Sequence, residues 1–438
     1  MQINFESTNK RSGGNMLSEK VYREYIKILE EEMIPAMGCT EPIALAYGAA
    51  KAREVLGCIP EKIVAKCSGN IIKNVRCVTI PNSGGLVGIE AGVVLGAVGG
   101  NADKKMEVLE SITEEQRAKT KEMLKQNVCQ VELLDTPVVL HIILELHAKQ
   151  DMVTLEIKHD HTNITKIEKN GEMLWKTKNE EKGNVEADRS LLELTLIKEF
   201  ADTVRLEDVK ALMDTQIFNN MAIAREGMTG KYGIGIGRTL RENFPPGLLT
   251  SMRSMAAAAS EARMGGCDMP VTINSGSGNQ GIACSVPVIV YANEMQLPDE
   301  TLYRALVFAN LLTVYQKMYI GKLSAFCGAV SASCAAGAAL TYMVCGDFQQ
   351  IQETIENTLA NIPGVICDGA KISCAAKIAT SLDAAYLAHQ LAMCNRSYSP
   401  YSGILQEETS ETIACVGMIG KEGMKETDKE ILKIMIGR

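Results

Sequence analysis

The stretch LSAFCGAVSASCAAGAALTYMVC, from Leu323 to Cys345, decides how the chain is expected to fold, because it runs for 23 residues without a formal charge. Its length would suffice for a membrane span. Its residues, however, are mostly Ala, Gly, Ser and Cys, which give weak transfer energies and permit close helix packing. A buried core helix therefore fits the stretch better. Ala-rich or amphipathic helices separated by Gly/Ser/Asn loops continue through residues 189–438 and predict a largely helical half.

Smaller units are predicted upstream of that half. Residues 17–33 carry the apolar stripe of an amphipathic helix, and the Ala-rich segment 42–55 is also expected to be helical. Short β-type runs bounded by polar turns fill residues 130–175. The expected fold class is α+β, in four parts: a disordered leader at 1–16, an N-terminal region at 17–104, a small α+β subdomain at 105–188 that ends in a polar linker at 179–188, and a helical region at 189–438.

Composition limits the partners and the compartment. The 438 residues carry a formal net charge of −8 without a clustered basic excess, which argues against a nucleic-acid-binding surface. A small-molecule partner is expected instead, with no membrane association, and a homo-oligomer is left open. The fourteen cysteines are scattered, without the short regular spacing of a secreted disulfide scaffold. We therefore expect reduced cysteines and a cytoplasmic location.

One cysteine stands alone near the N-terminus. Cys39 lies in the segment Met-Gly-Cys-Thr-Glu-Pro at residues 37–42. This position is at or just before the start of the expected helix 42–55, where the helix dipole favours a thiolate. Cys39 is therefore a candidate reactive thiol.

Four cysteines of the helical half form two pairs with the same seven-residue spacing: Cys327 with Cys334, and Cys367 with Cys374. Residues seven apart on an unbroken helix are separated by about 10 Å, which is awkward for two ligands of one small iron–sulfur cluster. The turn signal Asp368-Gly369 allows Cys367 to lie on a loop near Cys374, whereas Cys334 lies in a continuous helical pattern. We favour Cys327, Cys367 and Cys374 as ligands and expect Cys334 to be a packing residue.

At these residues the sequence resembles the L-cysteine desulfidase family, which is related to the α chain of bacterial iron–sulfur L-serine dehydratases. The resemblance spans nearly the whole chain from about residue 17. It rests on five motifs: Gly38–Pro42, Ser68–Asn70 followed by Lys73-Asn74, Asn219–Gly227, Ser275–Gly281 and Ile366–Lys371. The sequence departs from the family at Pro81–Gly85, where a Pro-Gly-Thr-Gly-like segment is typical, and this leaves the substrate side chain open.

The resemblance implies a cofactor and a reaction. It implies a labile 4Fe-4S cluster bound by Cys327, Cys367 and Cys374, with one iron free to act as a Lewis acid, and Cys39 as catalytic base or sulfur-handling thiol. It implies α,β-elimination of L-cysteine to hydrogen sulfide, ammonia and pyruvate, with L-serine dehydration as the alternative. Residues 17–104 and 189–438 would then form the catalytic region. A non-catalytic iron–sulfur or thiol redox sensor that binds a small amino acid is the alternative from another class.

Gly/Ser/Asn loops are the expected substrate-binding elements. Their backbone N–H groups and side chains would hold the substrate carboxylate and amino group without an arginine. The candidate residues are Ser68, Asn70, Asn82, Ser83, Ser275, Ser277 and Asn279.

Several other sequence features are interpreted as structural rather than functional. The glycines of Gly233–Gly237 lack the GxGxxG order of a dinucleotide site and are interpreted as a flexible turn. His159 and His161 are expected on an exposed polar face rather than in a metal site, and Cys284 is expected to be packed. Two lysines are candidates for a pyridoxal phosphate Schiff base, but no recognisable phosphate-binding loop accompanies them: Lys322 and Lys371.

Overall fold

The computed structural model describes residues 17–177, 186–321, 324–344 and 347–437. Three predictions fall wholly or partly outside this part of the chain: the leader at 1–16, most of the linker at 179–188, and the Schiff-base candidate Lys322. The ends of the uncharged stretch, Leu323 and Cys345, also lie outside it.

The first helix of the described chain is one that the sequence predicted. The first elements are α1 (Glu19–Glu32), β1 (Pro35–Met37) and α2 (Thr40–Leu56). The side chain of Ser18 caps α1 by accepting a hydrogen bond from the amide of Val21 at 3.3 Å. The stripe formed by Tyr25, Ile28 and Leu29 is completely buried, which confirms the predicted amphipathic helix.

A six-stranded mixed sheet occupies the middle of the chain. Its elements and the helices around it are β2 (Lys62–Cys67), α3 (Gly69–Val75), α4 (Ile89–Gly99), α5 (Glu114–Lys125), β3 (Cys129–Leu133), β4 (His141–Ala148), β5 (Asp151–Lys158), β6 (Ile164–Lys169) and β7 (Glu172–Lys176). The strand order is β3-β2-β4-β5-β6-β7, and only the β2–β3 pair is parallel. Alternate residues of β4 and β5, such as Leu144 and its partner Leu155, are fully buried and form one core with α2 and α4.

Strand β2 joins the predicted N-terminal region to the predicted α+β subdomain. The sequence did not single it out, although it lies inside the sheet between β3 and β4. The expected boundary between residues 104 and 105 therefore separates elements that share one sheet and one core. The domain boundaries themselves stay predictions.

The rest of the described chain is helical apart from one short strand. The elements are α6 (Leu194–Thr203), α7 (Leu206–Gly227), α8 (Ile236–Asn243), α9 (Leu248–Met264), β8 (Pro270–Thr272), α10 (Gly278–Glu294), α11 (Asp299–Ile320), α12 (Gly328–Val344), α13 (Phe348–Asn361), α14 (Cys374–Met393), α15 (Thr409–Met418) and α16 (Lys425–Ile436). The predicted α+β class, with a helical C-terminal half and a sheet-containing middle region, is confirmed. None of the described helices is both long and apolar enough to cross a membrane.

Helix α12 is the helix predicted from the uncharged stretch, and it lies in the core of the helical half. Cys334 is fully buried there, as is Cys284 on α10, so both are packed as expected. The Gly233–Gly237 segment is an ordered turn. The carboxylate of Glu261 accepts hydrogen bonds from three consecutive amides of this turn, residues 234–236, at 2.6 to 2.8 Å.

A two-stranded connection leads the N-terminal segment to the helical half. Strand β1 pairs antiparallel with β8, with Pro35 opposite Thr272 and Met37 opposite Pro270. This pairing places residues 38–41, at the start of α2, against the helical half.

Close helix packing gives the first testable prediction. A Cβ atom on Gly96 of α4 would lie 2.3 Å from the carbonyl oxygen of Ala46 on α2, so Gly96→Ala should force the two helices apart. We expect the free energy of unfolding to fall by about 1–3 kcal/mol, measured by chemical denaturation with circular dichroism.

The matched control is Gly92→Ala on the same helix, where the nearest atoms to a new Cβ lie at an ordinary 3.4 Å. This variant should be neutral, or more stable by up to about 1 kcal/mol, because Ala is the better helix former. Equal stability of the two variants would contradict the proposed packing constraint.

Candidate active site

Two of the predicted ligands are brought together by a single antiparallel bridge between Phe326 and Ile366. The amides of Cys327 and Cys367 each donate to a carbonyl of the opposite segment, at 2.8 and 2.7 Å. Residues that flank a bridged residue point to the same face of a ladder. The two thiols therefore lie side by side and share a hydrogen bond.

A tight turn brings the third cysteine close. Gly369 has φ +94° and a Cβ on it would lie 2.0 Å from the carbonyl oxygen of Lys73 on α3, so the predicted Asp368-Gly369 turn rests directly on that helix. The Cys374 thiol lies 3.8 Å from the carbonyl oxygen of Gly369. Cys374 is the first residue of α14 and Cys327 directly precedes α12, so both thiols lie at helix N-termini, where the dipole favours negative charge.

The charges around these thiols are unequal. The hydrogen bond from the Cys327 thiol, and then the charge of Lys73, hold the pKa of Cys367 well below its usual value. The same hydrogen bond together with burial raises the pKa of Cys327. Burial raises the pKa of Cys374, and the neighbouring Cys367 adds to this effect. The trio thus favours one thiolate in the absence of a further positive charge.

A buried lysine next to the trio was not predicted. Lys317, on α11, is 5% exposed and forms no ion pair with the described residues. Burial lowers its pKa to about 8, while the nearby thiols of Cys367 and Cys327 act in the opposite direction. The sequence signal was a single charge inside the apolar stretch Leu306–Ile320.

Cys39 lies where the sequence placed it but in a different electrostatic state. It is the N-cap residue of α2, and its thiol donates a hydrogen bond to a carboxylate oxygen of Glu41 at 3.1 Å. The other oxygen of Glu41 accepts from the Asn74 amide at 3.1 Å. Burial and Glu41 raise the pKa of Cys39, and the charge of Arg263 only partly opposes them. The thiol is therefore favoured over the thiolate that the helix position alone suggested.

The lone thiol and the trio meet. Cys39 and Cys374 belong to one small apolar cluster with Val78 and Met264. All four candidate cysteines, which are spread over more than 300 residues of sequence, are thus connected through contacts in the described structure.

The loop at residues 274–281 lies beside Cys39 and is held rigidly. The hydroxyl of Thr40 donates to the carbonyl oxygen of Gly276 at 3.1 Å. Asn220 of α7, which is fully buried, binds the carbonyl oxygen of Gly281 at 3.2 Å and the amide of Thr272 at 2.8 Å. The Asn274 side chain is bound in turn by Asn310.

The predicted residues of this loop are mostly buried. Ser275 donates to the side chain of Asn274 at 2.8 Å, and Asn279 accepts from Ser260 at 3.1 Å. Ser277 is the N-cap residue of α10 and makes no side-chain capping hydrogen bond.

The other predicted substrate residues differ among themselves. Ser68 donates to a main-chain carbonyl at 2.6 Å, Asn82 donates to two main-chain carbonyls at 2.9 and 3.0 Å, and Ser83 accepts from the amide of Leu86 at 2.9 Å. Ser68 and Asn82 thus tie their loops to distant segments, and Ser83 bonds within its own loop. Asn70 is different, because its buried side-chain oxygen has no hydrogen-bond partner among the described residues.

Two of the other buried atoms without a hydrogen-bond partner in the described structure lie near the 274–281 loop. They are the side-chain oxygen of Gln280, next to Gly328, and Nε2 of His161, whose ring reaches the Gly276 segment. The predicted exposed polar face is found for His159, but it is wrong for His161, which is partly buried. The β5–β6 turn directs this ring toward the helical half, a contact between distant segments that the alternating pattern could not reveal.

A buried arginine was also missed. Arg263 of α9 is 2% exposed, and its Nε donates to the carbonyl oxygen of Gly38 at 3.0 Å. Its guanidinium occupies the space that a side chain on Gly278 would need, since a Cβ there would lie 2.3 Å from Nε. The signal in the sequence was a charge within the Ala-rich segment 256–264. Lys371, the second Schiff-base candidate, pairs with Asp368.

The donor set of this site consists of cysteine thiols. In the part of the chain that the structure describes, no three His, Cys, Asp or Glu side chains are close enough to bind one metal ion. A 4Fe-4S cluster bound by three cysteines takes one thiolate on each of three irons. Three clustered thiols, of which Cys374 is buried and the other two are half-buried, fit the chemistry of such a group, and Lys73, Lys317 and Lys377 lie around them.

The Gly369 turn gives a prediction for this site. Gly369→Ala should push the turn away from α3 and separate Cys367 from the other thiols. We expect the iron and sulfide bound after anaerobic reconstitution to fall below about half of the wild-type value, because the strained φ and the close contact both oppose the new methyl group. Gly403→Ala is the control, since Gly403 has a similar φ of +70° and no atom within 4 Å. Wild-type iron content in Gly369→Ala would contradict the assignment.

Comparison with known proteins identifies a family and several relatives of similar length. The serine dehydratase alpha chain family matches residues 103–433, a range that contains the cysteine trio but not Cys39. The chain is 47% identical to a UPF0597 protein of Desulfitobacterium hafniense over 96% of this chain and 98% of the relative. It is 44% identical to UPF0597 proteins of Lachnoclostridium phytofermentans, over 95% of this chain and 100% of the relative, and of Treponema denticola, over 96% and 99%. None of the names of these three relatives states a reaction. The chain belongs to the serine dehydratase alpha chain family.

Proposed function

We propose that this protein is an iron–sulfur-dependent lyase that converts L-cysteine to hydrogen sulfide, ammonia and pyruvate by α,β-elimination. The observation that carries the proposal is the meeting of three thiols, Cys327, Cys367 and Cys374, with the hydrogen-bonded pair of Cys39 and Glu41. Membership of the serine dehydratase alpha chain family supports a lyase in general terms. L-Serine is the alternative substrate, because the matching family is that of the serine dehydratase alpha chain.

The cysteine trio would hold a 4Fe-4S cluster. When bound, such a cluster leaves one iron without a protein ligand and supplies a Lewis acid for the leaving group. The surrounding lysines offset the negative charge of three thiolates, which burial would otherwise disfavour.

Cys39 and Glu41 would handle the proton from the substrate Cα atom. At rest the Cys39 thiol donates to Glu41 across 3.1 Å. Transfer of that proton to Glu41 moves one negative charge onto sulfur without creating a second buried charge, and it removes the carboxylate charge that opposes the thiolate. The Cys39 thiolate then accepts the Cα proton while the Cβ–S bond breaks. Glu41 gives its proton to the departing hydrogensulfide, so that hydrogen sulfide leaves and both groups return to their resting state. Aminoacrylate leaves and is hydrolysed to pyruvate and ammonia.

The unpartnered side-chain oxygens of Asn70 and Gln280 would accept hydrogen bonds from the substrate ammonium group. Both lie close to the site, since Asn70 is on α3 with Lys73 and Asn74, and Gln280 packs against Gly328 next to Cys327. A buried acceptor without a partner is costly, and a bound ammonium group removes that cost. The rigid Ser275–Asn279 loop would orient the same substrate beside Cys39.

The proton-transfer pair gives the first prediction of this function. Glu41→Gln and Cys39→Ser should each lower kcat by about a hundredfold or more, because they remove the proton acceptor or the base. KM should change little. The measurement is pyruvate formation from L-cysteine under anaerobic conditions.

The control for this pair is Glu54→Gln on the same helix, where the side chain pairs only with Lys51 at the surface. It should retain wild-type kcat. Wild-type kcat in Glu41→Gln or Cys39→Ser would exclude the proposed proton route.

The cluster and the substrate are tested together. Protein reconstituted anaerobically should bind iron and sulfide, and Ser substitution of Cys327, Cys367 or Cys374 should lower the iron content and abolish product, whereas Cys334→Ser should retain both. Pyruvate and sulfide from L-cysteine should exceed pyruvate from L-serine.

Three outcomes would change the proposal. Pyruvate from L-serine alone would make the protein a serine dehydratase. Iron binding without any product from either amino acid would favour a sensor. Full activity without iron would exclude cluster chemistry.

A further inference from the structure

Arg263 is a buried cation for which the described residues provide no counter-ion. The side chain is 2% exposed, and no carboxylate among the described residues forms an ion pair with it. Its only hydrogen bond within the described structure is from Nε to the carbonyl oxygen of Gly38, so the outer edge of the guanidinium fork remains available. A charge taken out of water without a partner is strongly unfavourable, which indicates that an anion binds there in the working protein.

The nearest acid on the same helix cannot serve as the counter-ion. Glu261 is only two residues away, but its two oxygens are occupied by the three amides of residues 234–236. Arg253, at the other end of α9, shows the contrast. It is similarly buried, and its guanidinium contacts both oxygens of Asp383 at 2.6 and 2.7 Å.

A second unpartnered group lies on the same segment. A Cβ on Gly276 would lie 4.0 Å from Cε1 of His161, and the adjacent Nε2 is buried without a partner among the described residues. A Cβ on Gly278 would meet Arg263. His161, on the β5–β6 turn, and Arg263, on α9, therefore both contact the segment Gly276–Gly278, although they belong to different parts of the chain.

The turn that carries His161 is fixed in place. His159 adopts φ +69°, which is uncommon for a residue with a side chain. The Asp160 carboxylate accepts from the amide and hydroxyl of Thr162 at 3.1 and 3.2 Å, and Asn163 binds the carbonyl oxygen of Lys158 at 2.9 Å. His161 is thus held toward the loop at 275–279 before any ligand arrives.

The same segment touches the proton-transfer pair. The carbonyl oxygen of Gly276 accepts from Thr40, the residue between Cys39 and Glu41, and Arg263 binds the carbonyl oxygen of Gly38 on the other side. An anion held here would lie next to the atom that we propose removes the Cα proton. The anionic group attached directly to Cα in an amino acid is the α-carboxylate, and a guanidinium fork matches its two oxygens.

We propose that Arg263 and His161 together bind the α-carboxylate of the substrate against the Gly276–Gly278 segment. The proposal rests on the proposed function only in taking the ligand to be an α-amino acid. It gives a reason for the buried Arg263 to contact Gly38, the residue before Cys39. In this arrangement the protein holds the substrate by its α-carboxylate rather than by its side chain.

The test uses ligands that differ by this one group. Binding of L-cysteine, L-serine and L-alanine to the anaerobically reconstituted protein is measured by calorimetry and compared with that of cysteamine, ethanolamine and ethylamine, which lack the carboxylate. L-Alanine has no leaving group and reports binding without turnover. The wild type should bind the amino acids and bind the amines more weakly by about tenfold or more.

Two conservative variants assign the effect to residues. Arg263→Lys retains the charge but loses the fork, and His161→Gln retains a polar group at a similar reach. Each should weaken binding of L-alanine by about tenfold or more while leaving binding of ethylamine unchanged. Circular dichroism checks that each variant folds, and His161→Gln, which changes a partly buried turn residue, keeps the test valid if Arg263→Lys does not fold. Arg253→Lys on the same helix is the matched control and should bind L-alanine as the wild type does.

The outcomes separate this inference from the proposed reaction. Equal affinity for amino acids and amines, wild-type binding of L-alanine by a folded variant, or no binding of any of the three amino acids would overturn the carboxylate site. Carboxylate-dependent binding without elimination of any substrate would support the site while excluding the proposed reaction.

Discussion

The site depends on the close approach of main chain to main chain at positions where no side chain can be tolerated. Gly369 lets the turn after Cys367 lie against the carbonyl oxygen of Lys73. Gly281 lets the start of α10 approach Thr272 so closely that a Cβ added to Gly281 would lie 2.1 Å from the carbonyl oxygen of Thr272. Because a methyl group at either position would overlap a peptide oxygen, the segments that carry the candidate residues cannot move apart without losing these contacts. These two contacts therefore fix the positions of the cysteine trio and of the 274–281 loop.

Buried polar groups then divide into satisfied and unsatisfied sets. The side chain of Asn220 binds Gly281 and Thr272, and the side chain of Asn274 donates to that of Asn310, so these amides hold the loop in place. The Arg263 guanidinium makes only the hydrogen bond from Nε to Gly38 within the described structure, and Nε2 of His161 makes none there. Folding has to offset the cost of burying such groups, and a site that waits for a charged ligand is a physical reason for the protein to retain them.

The proton chemistry shows how burial can reverse a simple expectation. A thiol at a helix N-terminus is usually more acidic than a free one. At Cys39 the removal of water and the adjacent Glu41 carboxylate act against the thiolate more strongly than the helix and Arg263 favour it. The proposed base is therefore a thiol–carboxylate pair that shares one negative charge, which couples the function of Cys39 to a neighbour that the sequence showed only as part of a motif.

The sequence by itself determined the helical character of the C-terminal half, the amphipathic α1, the helix start at Cys39, the turn after Cys367 and the packing role of Cys334. These follow from local rules, since periodicity, capping and turn chemistry act over a few residues. Only the tertiary structure decided that β2 joins the sheet, that His161 turns inward, and that Lys317 and Arg263 lie buried beside the cysteines. Those outcomes depend on which distant segments meet, and the free energy of burying a charge or a ring is set by the neighbours it finds there rather than by its own stretch of sequence.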